Sequence, residues 1–171
     1  MNIFSAIYYA YRKLFKKGET PETEGEDQEE SDEVREVKRG KIKSFEKVTL
    51  HTSGMRFVLD DEIVMKDGKA AVTRYSVRYD GHEDVRTPEE SAECSEEEAL
   101  KILNDCRILS WNGFHGAHPR GVLDGTMFRL EATVNGGETI RAEGSQNFPK
   151  HYHDFTDWIY ATLRRAEEKK D

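Results

Sequence analysis

Asn135, Gly136 and Gly137 stand between two stretches that alternate, and no other feature narrows the possible fold so far. Before them Phe128, Leu130, Ala132 and Val134 interleave with Arg129, Glu131 and Thr133. A period of two buries one face of a strand and leaves the other polar. The asparagine and two glycines supply the positive φ angles of a tight hairpin, so the chain must return antiparallel over Glu138 to Glu143. A fold built around this unit has a sheet with one covered face.

The rest of the body obeys the same logic. Ser44 to Thr52, with Phe45, Val48 and Leu50, predicts a first strand ended by Ser53 and Gly54, and Met55 to Met65 a second, less regular one. Lys66, Asp67 and Gly68 predict a hairpin turn. Thr73, Tyr75, Val77 and Tyr79 alternate with Arg74, Ser76 and Arg78, and Asp80, Gly81 and His82 end that strand before a polar loop to Glu93. Ser95 with Glu98 is a capping box for a helix running to about Leu109 on an apolar face of Ala99, Ile102, Leu103 and Cys106. A last helix, about His151 to Glu168, carries Phe155, Trp158, Ile159, Leu163 and Ala166 on one side, with basic residues at its C-terminus as the helix dipole favours. The order β-β-β-α-β-β-α predicts an α+β fold, an antiparallel sheet of about five strands with two helices packed on it.

Ahead of this body the composition changes twice. Glu19 to Glu36 holds ten acids against the single base Arg35, a self-repelling run that reads as an extended, disordered linker over residues 18–40. Residues 1–17 group Ile3, Phe4, Ile7, Tyr8, Tyr11, Leu14 and Phe15 within an arc of about 140° on a helix. Arg12, Lys13, Lys16 and Lys17 fall opposite. Apolar and basic faces of this kind suit an anionic membrane surface or a docking partner; the plainer alternatives are a stripe packed on the protein's own body and a disordered leader. The stretch is too short to span a bilayer, and its charges follow rather than precede the apolar part, the reverse of a secretory signal. The expected location is therefore cytoplasmic, peripheral on the inner membrane face.

Residues 41–171 are then the α+β globular domain, long enough to bury about two-thirds of the unfolded surface. Its 19 basic residues face 24 acidic ones, in a chain of net charge −8, which argues against nucleic acid as a partner. Cys94 and Cys106 form no CxxC pair and no disulfide framework.

Several short motifs of this body, Gly54-Met55, Leu109 to Gly113, Leu123 to Thr126 and Gly144 to Pro149, resemble those of a family of small bacterial domains of unknown function common in gut Firmicutes, some of them lipoprotein-like or membrane-tethered. The resemblance covers roughly residues 45–165 and brings no activity with it. The chain lacks the lipobox cysteine of the lipoprotein-like members, and the amphipathic helix would be its substitute anchor.

For chemistry, His115 with His118 and His151 with His153 each place two imidazoles close together, but neither pair is an HExxH helix. Ser145 follows Gly144 without the second glycine of a nucleophile elbow. Asp124 reads as a turn residue, and Asn147 suits the turn before Pro149. No GxGxxG and no phosphate loop occur, and no cofactor is expected. What remains is a set of aromatic and polar residues on loops, Trp111, Phe114, Asp124, Asn147, Phe148 and Tyr152, which predicts a binding surface; the competing reading has Trp111 and Phe148 plugging the core. The sequence thus points to a non-enzymatic interaction or ligand-binding domain, tethered by residues 1–17. The rival is a metal-dependent hydrolase using His115, His118 and His153. In a third reading the acidic linker is itself the functional part.

Overall fold

The computed structural model describes residues 40–122 and 124–168; the expectations for the N-terminal helix, for the linker up to Arg39 and for Leu123 lie outside the described residues. The chain divides into two units after Gly40, and the sheet and its helices belong to the unit beginning at Lys41.

Four strands come first: β1 (Phe45–Gly54), β2 (Phe57–Lys66), β3 (Lys69–Tyr79) and β4 (Asp84–Ser95). Helix α1 (Glu96–Asp105), a 3-10 turn (Ile108–Trp111) and the two-residue β5 (His115–Gly116) come next, then β6 (Met127–Val134), β7 (Glu138–Ser145) and α2 (Tyr152–Glu167). The strands form one seven-stranded sheet in the order β4-β3-β2-β1-β6-β7-β5. All neighbours are antiparallel except β5 and β7.

The α+β class is as expected, and the strand count of about five becomes seven. The expected polar loop between Asp80 and Glu93 is corrected, since most of it is β4. Only Ala92 and Cys94 on that strand are buried, because β4 is an edge whose residues 84–88 are exposed on both faces. Without a covered face there is no alternation to read. Its pairing with β3 shifts register between Arg74 and Tyr75, where Pro88 stands opposite Tyr75. A bulge and a proline are typical of edge strands, which they protect from further pairing. Helix α1 also ends earlier than Leu109: Cys106 caps it, and Arg107 takes a left-handed φ of 54° before the 3-10 turn.

Alternate strand positions are buried under the two helices, among them Val48, Leu50, Leu59, Ile63, Val72, Leu130, Ala132 and Ile140. Phe155, Ile159 and Leu163 of α2 and Ala99 and Leu103 of α1 close over them. Each large side chain so buried contributes about 1.5–3 kcal/mol. One ionic group sits in this layer. Arg74, 2% exposed, donates to both oxygens of Asp61 at 2.7 and 3.0 Å, with Glu90 at 4.0 Å and the Tyr160 ring of α2 over the guanidinium.

Two asparagines fasten the lead-in to β1. Asn104 accepts from Ile42 N–H at 2.9 Å and donates back to the Ile42 carbonyl, while Asn135 accepts from Lys43 N–H at 2.8 Å. Ser95 caps α1 by accepting from Glu98 N–H at 3.1 Å, but the Glu98 carboxylate turns to Arg165 of α2 at 2.6 Å. Arg165 thereby holds the Glu98 carboxyl below the usual carboxylate range. Among the described residues no helix is long and apolar enough to cross a membrane.

Candidate functional site: the open face of the sheet

The helices cover one face of the sheet; the other face carries an open groove of about 980 Å³ over β1, β6, β7 and β5. Its chemistry follows from register. Asp60 opposes His51, His51 opposes Arg129, Arg129 opposes Glu143, and Glu143 opposes His115, so one row of outward side chains crosses five strands. Two acids, Asp60 and Glu143, flank the bases His51 and Arg129, and His115 ends the row. The neighbouring row runs Glu62, Thr49, Glu131, Arg141.

Contacts lock the β2 end of these rows. His51 Nδ1 lies 2.7 Å from Asp60 Oδ1, and Arg86 Nε 2.8 Å from Asp60 Oδ2. Lys47 and Arg86 both reach Glu62, at 2.5 and 3.4 Å, and the Arg86 guanidinium stands 4.1 Å above the Tyr75 ring. The two carboxylates are only 13% and 14% exposed, which strengthens each pair. Toward β7 the arginine pairs loosen, with Arg129 3.9 Å from Glu143 and Arg141 3.9 Å from Glu131, all at least half exposed, while His115 Nδ1 stays 2.9 Å from Glu143 Oε1. Pairs of that kind hold little energy and exchange readily for a ligand's groups.

At the β5 end three glycines govern how closely the chain segments approach. A Cβ on Gly116 or on Gly144 would lie 2.3 Å from the Asn147 carbonyl oxygen, and one on Gly125 would lie 2.4 Å from Gln146 Cγ and 3.1 Å from His118 Cε1. These glycines serve contact rather than turning. The turn after Trp111 docks on β7 by backbone: Gly113, at φ 79°, donates to the Arg141 carbonyl, Arg141 N–H donates to Asn112 Oδ1, and Glu143 N–H to the Phe114 carbonyl. That bonding carries the chain into β5 and brings His115 and His118 to the groove.

The loop residues singled out by sequence divide. Trp111 is 1% exposed, donates its indole N–H to the Lys150 carbonyl at 3.1 Å and meets Phe155 edge-on. Tyr152, 3% exposed, stacks on Phe148 at 4.5 Å and touches Phe128, which also meets half-buried Phe114. Trp111, Phe114, Phe148 and Tyr152 thus lie in and beside the core, as the plugging alternative had it for Trp111 and Phe148. Asp124 and Asn147 are exposed. His118 and His115 share the groove, whereas His153 lies against the Phe148 and Tyr152 rings. Among the described residues no group of three His, Cys, Asp or Glu side chains is placed to hold a metal ion.

Sequence reasoning missed His51, Asp60, Arg129 and Glu143. Their signal was present in the polar positions of the alternating strands, but it becomes a site only once register is known. Neither the protein-family models nor the curated proteins compared with the chain contain a match to it.

Proposed function

We propose that the unit beginning at Lys41 is an interaction or ligand-binding domain that takes its partner on the open face of the sheet, and that residues 1–17 tether it to an anionic membrane surface or to a protein. The groove supports the first part. A concave space of about 980 Å³ has the size of a small-molecule site. Its row of charged and imidazole side chains from Asp60 to His115 offers donors and acceptors of both signs, which suits a polar ligand or peptide with mixed charge rather than a polyanion. The tether rests on the amphipathic order of Ile3 to Lys17.

Two experiments on the full chain test the reading. Amide shifts in a nuclear magnetic resonance screen with small zwitterionic and peptide probes should concentrate on β1, β6 and β7; hits scattered over the helices would refute the groove. The chain should sediment with anionic but not neutral vesicles, and less at high salt. Replacing Arg12, Lys13, Lys16 and Lys17 by Gln should abolish this; unchanged sedimentation would refute an electrostatic membrane tether, and no sedimentation of the wild type would direct the search to a protein partner.

A further inference from the structure

His118 makes two hydrogen bonds that together fix where its proton resides. Nε2 lies 2.7 Å from the Val122 carbonyl oxygen, and Nδ1 lies 2.7 Å from Ser145 Oγ. A carbonyl only accepts, so Nε2 carries the hydrogen. The neutral ring therefore presents a lone pair at Nδ1, and Ser145 must be the donor. A hydroxyl aimed at an imidazole lone pair, with the ring held from behind by an acceptor, is the arrangement that activates a serine. The roles of the two nitrogens are exchanged relative to the common triad, and a backbone carbonyl replaces the carboxylate.

The surroundings are built for this pair. Ser145 is half-buried at the end of β7 and lines the groove with His118. Gly125 lies where a Cβ would crowd both His118 Cε1, at 3.1 Å, and the Gln146 side chain, at 2.4 Å, so the bare glycine lets these groups close on one another. Beside the hydroxyl lies apolar surface without a cover: Met127, opposite Ser145 in the ladder, is 53% exposed, and Val122 38%.

We propose that Ser145 is a nucleophile and His118 its general base, acting on a small ester whose apolar acyl part rests on Met127 and whose polar remainder lies in the groove. This goes beyond binding. Ser145 Oγ bonds to the carbonyl carbon, the C=O π pair moves onto its oxygen, and the hydroxyl proton passes to His118 Nδ1. The pair returns, the bond to the leaving oxygen breaks, and that oxygen takes the proton from Nδ1 and departs as an alcohol. Water then attacks the acyl-serine in the same way, gives its proton to Nδ1, and releases the carboxylic acid as Ser145 recovers its hydrogen. Throughout, the Val122 carbonyl accepts from Nε2–H and steadies the imidazolium.

The test is labelling of the full chain with a fluorophosphonate, read by intact mass and peptide mapping, alongside p-nitrophenyl butyrate hydrolysis. The expected result is one adduct per chain, on Ser145, absent from Ser145→Ala and formed at least about tenfold more slowly in His118→Ala. An adduct elsewhere, or wild-type labelling no faster than that of the urea-unfolded chain, would overturn the proposal. Ser145→Cys gives a second readout that keeps the fold: iodoacetamide should alkylate its new thiol at least about tenfold faster with His118 present than in the His118→Ala background, and equal rates would overturn it. Failure here with groove shifts intact would leave the binding reading standing.

Discussion

Substituting Gly144 by Ala should be among the most damaging single-methyl changes available in this protein, although the residue lies on a strand with ordinary φ. The added Cβ would sit 2.3 Å from the Asn147 carbonyl oxygen and 2.7 Å from Phe128 Cε1. Relief requires the 146–150 segment to retreat by about 1 Å, since non-bonded contacts of this kind settle beyond about 3 Å. That segment carries the Lys150 carbonyl that accepts from the buried Trp111 indole, and Phe148, which stacks on Tyr152. Overpacking costs about 1–3 kcal/mol and weakening the indole hydrogen bond about another 1, for a total of about 2–4 kcal/mol. In a domain of this size the Tm should fall by roughly 10 °C. Gly116→Ala strikes the same oxygen, also at 2.3 Å, so one retreat relieves both and the double variant should cost at least about 1 kcal/mol less than the sum. Gly68→Ala is the control: it has φ 77° and nothing within 4 Å, and should cost about 1 kcal/mol from conformation alone. Urea denaturation of the four variants decides the matter. A Gly144→Ala cost no larger than that of Gly68→Ala, or strict additivity with Gly116→Ala, would refute the crowding argument.

Three further outcomes are expected. Arg74→Met leaves the carboxylate of Asp61 buried without its bidentate partner and should cost about 3–5 kcal/mol in urea titration; a loss under about 1 kcal/mol would show the group to be solvated. Arg165 holds the Glu98 carboxyl below its usual range, so the stability from that pair is present above the unfolded pKa and lost as pH falls through the lower folded one. Both side chains are more than a third exposed, so Arg165→Ala should cost less than about 1 kcal/mol at pH 7, with the gap to wild type closing below about pH 4.5; a gap that widens in acid would contradict it. Burial pushes the Cys94 and Cys106 thiols up to about 11 and about 12, so neither should react with a disulfide reagent at pH 8 until the chain unfolds.

How far the fold could be read beforehand depended on whether local chemistry and burial agreed. Asp67 and Gly68 take φ 52° and 77°, and Asn135 and Gly136 take 50° and 77°, as the hairpin residues require. Strand β4 escaped because its pairing with β3 is backbone bonding at an edge, which leaves no periodic trace in side chains. Glycines 116, 125 and 144 were legible as punctuation but not as contact points, since the groups that exclude their methyl groups, the Asn147 carbonyl and the Gln146 side chain, arrive only in three dimensions. Ser145 and His118 show the same limit. Nothing in their spacing of 27 residues announces a hydrogen bond, and what joins them is β5 lying parallel to β7. Trp111 and Tyr152 illustrate the opposite case, where aromatic residues on element ends looked like a surface and became part of the core.

The central place of β1 in the sheet orders events during synthesis. Its partner β2 emerges at once, whereas β6, on its other side, leaves the ribosome about 70 residues later, several seconds at ordinary elongation rates. Until then one rim of β1 is an unpaired edge on a nascent meander, and closing it must overcome the entropy of a long loop. Refolding should therefore proceed in two stages, with amides of β2 and β3 protected from pulsed hydrogen exchange before those shared by β1 and β6. Simultaneous protection of both sets would show that the two halves condense as one.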